Sequence, residues 1–170
     1  MRKLATLCMI GLLAVGALGC IDNEGQLAVL MTSNASAVTL ASQVNLEITS
    51  VELWDNSNDT WVTVSGGSQV HEVIGLSGRL TPIALVDAIN EGTYGQVRIT
   101  FNEARSSVVL DTGRREPLQI EPTVITVQTI APVIEDQAFN LTLELDVDAS
   151  LSLRPSGTWL IRPVMRQIAN

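Results

Sequence analysis

Across residues 140–148 apolar and polar side chains alternate almost without fault: Leu141, Leu143, Leu145 and Val147 against Thr142, Glu144, Asp146 and Asp148. A period of two is the repeat of a pleated strand with one face in a core and the other in water. An amphipathic helix repeats every 3.6 residues and does not produce it. The same alternation places Val97, Ile99 and Phe101 inward along 96–102, and Val44, Leu46 and Ile48 inward along the segment before it. Val51 and Leu53 then continue one position out of phase. A slip of one residue would turn the wrong face to the core, so a bulge or bend is expected near Thr49 and Ser50.

Further strands are read at 26–31, 61–64, 69–76, 108–111, 118–120, 123–128 and 158–165. The stretch Asp55-Asn56-Ser57-Asn58-Asp59-Thr60 consists of residues whose side chains bond their own backbone, so it reads as a hairpin loop flanked by Trp54 and Trp61. Gly66-Gly67 marks another turn. Residues 80–89 lack clean alternation, and Pro82 permits a helical turn to start there, so a short helix or irregular crossover is expected. Pro163 marks the last strand as an edge or bulged one, because proline gives no donor to a ladder. About eight short strands with frequent turn signals predict an all-β fold, an antiparallel β-sandwich.

The chain opens with Arg2 and Lys3, followed by an apolar run from Leu4 to Leu18 and then Gly19-Cys20. That run is shorter than the roughly 20 residues a membrane-spanning helix needs. Its basic start, apolar middle and small residue before a cysteine are those of a bacterial secretion signal cut ahead of Cys20, and Gly19-Cys20 resembles a lipobox. The expected organisation is a signal peptide at 1–19, lipidation of Cys20, a short tether at 20–25 and a sandwich domain at 26–168. Acyl chains on Cys20 would hold the protein on the cell envelope. The following residue is Ile21 rather than Asp, which by resemblance to enteric lipoproteins favours the outer over the inner membrane.

After residue 20 the chain keeps eight Arg, no Lys and eighteen acidic residues, a net charge of −10. Nucleic acid and anionic lipid head groups are therefore not expected partners. The only other cysteine, Cys8, lies in the signal, so no disulfide is expected. His71 is the single histidine, which argues against a zinc site and a Ser-His-Asp triad. Its alternation with Val70 and Val73 reads as the polar face of a strand, with the ring exposed.

Glu91-Gly92-Thr93-Tyr94-Gly95-Gln96-Val97-Arg98-Ile99 belongs to a recognisable set of segments. The others are Val44 through Leu53, Leu141 through Asp148, and Trp159-Leu160-Ile161-Arg162-Pro163-Val164. In this order and spacing the chain resembles the domain of unknown function 4382 family. That resemblance implies a prokaryotic lipoprotein with an immunoglobulin- or transthyretin-like β-sandwich and no established activity. Tyr94, in a Gly-Thr-Tyr turn entering a core strand, has its own reading as a tyrosine corner.

Two constellations are candidates for binding. Trp54 and Trp61 beside an Asn- and Asp-rich loop would suit a glycan; the alternative is a cross-strand aromatic pair covering one end of the core. Glu144, Asp146 and Asp148 share one face of a strand, about 7 Å apart. They are candidate calcium ligands; the alternative is a solvated face whose charges discourage edge pairing. No nucleophile and base stand together, so an acid-based hydrolase is the weakest reading. The expectation is a non-enzymatic, membrane-anchored envelope lipoprotein with no required cofactor, binding a protein or glycan. The alternative is a structural accessory subunit that pairs through an exposed strand such as the last one.

Overall fold

The computed structural model describes residues 23–169. The expected signal segment and Cys20 lie outside the described residues. Twelve strands and one helical turn form two facing sheets around a single apolar core. The smaller sheet holds β1 (Glu24–Asn34), β5 (Thr81–Asn90), β9 (Ala138–Asp146) and β12 (Met165–Ile168), in the order β12-β9-β1-β5. The larger one holds β2 (Ala41–Asp55), β3 (Thr60–Ser65), β6 (Gly92–Leu110), β7 (Arg115–Ile120), β10 (Leu151–Leu153) and β11 (Trp159–Ile161), in the order β10-β11-β7-β6-β2-β3. Two more strands complete it: β4 (Gln69–Glu72) beside β2, and β8 (Val124–Val133) beside β6. A single turn, α1 (Val147–Ser150), follows β9.

The sandwich is therefore built of twelve strands rather than about eight, and its sheets are mixed rather than purely antiparallel. β1 runs parallel to β9, and β11 runs parallel to β7. The inward residues are those the alternation assigns: Val97, Ile99 and Phe101, and Leu141, Leu143, Leu145 and Val147, are all buried. The phase slip in β2 is present. Ile48 faces Phe101 and Ser50 faces Thr100, which leaves Thr49 between register positions with its hydroxyl donating to the Thr100 carbonyl at 3.2 Å.

Four expectations are corrected. Residues 81–90 form an edge strand, β5, instead of a helix or crossover; pairing with β1 overrides the weak local pattern, and Pro82 is tolerated at the edge. The first strand starts at Glu24, two residues before the expected position. The expected last strand is two strands in different sheets: β11 ends before Pro163, and β12 starts after it. The expected separate strands at 96–102 and 108–111 are parts of one long strand, β6.

β1 enters at the end where the loops at 56–59, 91 and 134–137 gather. Glu91 N–H donates to the Asn23 carbonyl at 2.8 Å and Asp136 N–H to that of Glu24 at 3.0 Å. Tyr94 closes this end. Its ring is buried, and its hydroxyl donates to the Asn90 carbonyl at 3.0 Å, the bond of a tyrosine corner. The sandwich is also latched along one side. The Gln167 amide on β12 accepts from Ile130 N–H at 2.8 Å and donates to the Ile130 carbonyl at 3.1 Å, acting as a substitute peptide group between β12 and β8.

Candidate functional site

The outer face of the larger sheet carries the polar side chains that face away from the core along β2 and β6. Near the end where the chain enters, Trp54 and Trp61 stand directly opposite each other across the β2–β3 hairpin. Their rings meet edge to face with centroids 5.3 Å apart. Leu53 and Val97 point inward, so the pair lies on the outer surface, half-buried, rather than covering an end of the core. The Arg98 guanidinium lies over the Trp61 ring, 4.2 Å from its centroid, and clamps Glu52 with bonds of 2.7 and 2.8 Å. That bidentate bond holds the Glu52 carboxyl below its ordinary range, against the opposing effect of burial. One face of Trp61 is thus occupied from within the protein. The hairpin loop below is held by Asp55, whose carboxylate accepts from Ser57 N–H at 2.8 Å and from the Asn58 side chain at 2.8 Å. Burial pushes the Asp55 carboxyl up, but these bonds outweigh it and leave the group below its ordinary range.

Glu144, Asp146 and Asp148 are not brought together. Glu144 binds Arg166 at 2.5 Å. Asp146 caps α1, its carboxylate accepting from Ala149 N–H at 3.0 Å. Asp148 sits on α1 rather than on the strand, and accepts from Ala37 N–H at 2.9 Å and Ser36 Oγ at 3.0 Å. Each carboxylate therefore serves a separate neighbour. Among the described residues no three His, Cys, Asp or Glu side chains gather as a metal site. His71 is not exposed: it faces Leu46 across the β2–β4 ladder and is 8 % exposed, its Nε2 without a partner. Burial lowers its pKa. The short β4 turns the ring under the larger sheet, where alternation alone puts it outside.

A third site escaped the sequence reading. Asn45 pairs with Ser107 and Glu47 with Asn102, so residues 103–106 of β6 have only Leu46 opposite them and leave the ladder as a long bulge. Three anchors hold this excursion. Asn102 accepts Ala104 N–H on its side chain at 3.1 Å and the Ser106 hydroxyl on its carbonyl at 2.8 Å. Ser106 Oγ in turn accepts Glu47 N–H at 3.0 Å. Glu103 accepts Ile120 N–H at 3.1 Å, replacing a ladder bond between β6 and β7. The result is a groove of about 630 Å³ between the excursion and β7. Arg105, Ser107, Arg115 and Gln119 supply its polar wall, with Val70 and Pro117 among its apolar surfaces. Glu47 lies beneath the excursion, fully buried. Its Oε1 meets Arg105 Nη1 at 3.0 Å and accepts the Ser68 hydroxyl, and its Oε2 has no partner. One signal could have revealed the excursion: inward positions are odd-numbered through Phe101 and even-numbered at Val108, a switch of parity with no glycine or proline between.

Two facing sheets with a shared core and a polar outer face make this a β-sandwich domain with a surface groove. The chain belongs to the family described as a domain of unknown function, DUF4382, whose model matches residues 24–163. Neither a curated protein nor a solved structure matches it. Among the described residues no helix is long and apolar enough to cross a membrane.

Proposed function

We propose that this protein is a lipid-anchored envelope lipoprotein whose sandwich is a non-catalytic binding module. The supporting observation is the position of β1. The strand begins at Glu24, four positions beyond Cys20, and the family match begins at the same residue. Gly25 is packed so closely that an added Cβ would stand 2.5 Å from the Ile134 carbonyl oxygen. A folded body that starts this soon after a lipobox-like cysteine would sit against the membrane on a short lead, with its far end and outer faces available to partners. Ile21 after the cysteine favours the outer membrane. Growth with radioactive palmitate tests the anchor: label is expected in the intact chain and absent from Cys20→Ala. Label retained by that variant, or absent from both, overturns it.

The structural-subunit reading is supported at a strand other than the last. The outward side of β12 already meets β8 through Gln167. β10 is one edge of the larger sheet. Ser150 accepts from Arg162 N–H and Arg154 N–H donates to Thr158, the two residues that flank β11, so Leu151 and Leu153 turn their peptide groups away from that strand. Co-purification of a stoichiometric protein from detergent extracts, lost on Leu153→Pro, would favour assembly by strand addition.

A further inference from the structure

We propose that the groove between the β6 excursion and β7 binds an uncharged, hydroxyl-rich ligand of the size of one or two sugar rings. This deepens the binding-module reading by naming a place and a ligand class, and moves the glycan site away from the two tryptophans. Four observations carry it.

The groove is built rather than incidental. The excursion adds residues to a strand that is otherwise paired on both sides, and every anchor that holds it is a side chain bonded to backbone. A wall fixed in this way presents its groups without ordering them on binding. Its volume, about 630 Å³, is in the range of small-molecule sites.

Its charge is balanced. The acidic side chains lining it are Glu103 and Glu116, and the basic ones are Arg105 and Arg115. Glu116 is held by Arg114 at 2.6 Å, and Arg105 by Glu47. That leaves Arg115 and Glu103, one charge of each sign, without an ion-pair partner among the described residues; a hydroxyl both donates and accepts and can use both kinds of group.

Its polar groups are largely planar forks. Arg105 gives one nitrogen to Glu47, and Arg115 gives Nη1 to Ser107 Oγ at 3.2 Å, so each guanidinium keeps donors for a pair of neighbouring oxygens. Gln119 and the Thr158 hydroxyl complete the wall, and exposed Val70 and Pro117 offer apolar surface to the C–H face of a ring.

Lastly, the wall is braced from below. Glu47, fully buried beneath the excursion, holds Arg105 at 3.0 Å, so one nitrogen of that guanidinium is fixed before any ligand arrives.

Saturation-transfer NMR on the full chain in detergent micelles tests the proposal. The probes are the methyl glycosides of glucose, galactose, mannose and N-acetylglucosamine, with glucuronate as the anionic counterpart. At least one neutral glycoside is expected to receive saturation at millimolar concentration and to bind in preference to glucuronate. Arg115→Ala removes a donor and Ala104→Trp fills the groove; both positions are exposed, and each change is expected to weaken binding about tenfold or more while Trp54→Ala leaves it unchanged. Melting temperatures of the variants check that the fold is retained. The proposal is overturned by no transfer to any neutral glycoside, by equal or better binding of glucuronate, by binding that survives both groove changes, or by loss in Trp54→Ala. None of these outcomes depends on the lipid, so failure here and failure of the palmitate label are separately readable.

Discussion

His71 is buried with its Nε2 unpartnered, and burial holds its folded-state pKa below the ordinary 6.5. Between those two values the unfolded chain takes up a proton that the folded chain refuses. Stability is therefore expected to decline as pH falls below about 6.5, and this contribution levels off once pH passes beneath the folded value. Urea midpoints across pH 5 to 8 measure it, and His71→Phe should flatten that part of the profile. Tyr94 gives a second test. Its hydroxyl ties the entry of β6 to Asn90, the last residue of β5, so Tyr94→Phe keeps the buried ring and removes one bond. A loss of about 1 to 2 kcal/mol is expected from denaturant unfolding. The residue type and its turn were enough to read the role of Tyr94 from sequence. They were not enough for His71, because which side of a four-residue strand faces the core is decided by its partner, β2.

At the scale of elements, the excursion of β6 depends on Ser106, which joins Asn102 to the buried amide of Glu47. Ser106→Ala leaves that amide without an acceptor and is expected to lower stability by about 1 to 3 kcal/mol, read from urea midpoints. The Gln167 latch predicts a different signature. Gln167→Ala should cost about 1 to 2 kcal/mol and speed hydrogen exchange at the Ile130 amide in particular. Strand faces and the Thr49 bulge were legible in the sequence because parity is a local property. The excursion was missed because its anchors reach across to β2 and β7, and its one local trace was the parity switch between Phe101 and Val108. β5 was misread for a related reason: it buries Ile83 and Ala84 in succession at a sheet edge, so its pattern is neither a strand's nor a helix's until β1 is beside it. The two carboxylates of the 140–148 stretch that flank Val147 looked like parts of one strand face; α1 starts between them and gives each its own task.

At the scale of the whole molecule, β1 lies between β5 and β9 at the middle of the smaller sheet. Its parallel register pairs Gln26 with Ala138 and Asn34 with Asp146, contacts more than a hundred residues apart in sequence. Non-local pairing of this kind slows folding, and refolding is expected on the millisecond-to-second scale. Pulsed hydrogen exchange should show the β1 amides that face β9 gaining protection together with those of β9 and not before them. Protection of these amides ahead of β9 would contradict that order.

On the proposed reading of an exported lipoprotein, the central place of β1 has a consequence for crossing a membrane. Of the two neighbours of β1, β5 is made midway along the polypeptide but β9 belongs to its last third, so until then β1 can be held along one side only. A lone pair of strands is marginally stable, so the leading portion would stay pliant during that interval, in the state a narrow secretion channel can thread. Only when the tail arrived on the far side would the head gain its second mate, so crossing would come first and the finished shape afterwards.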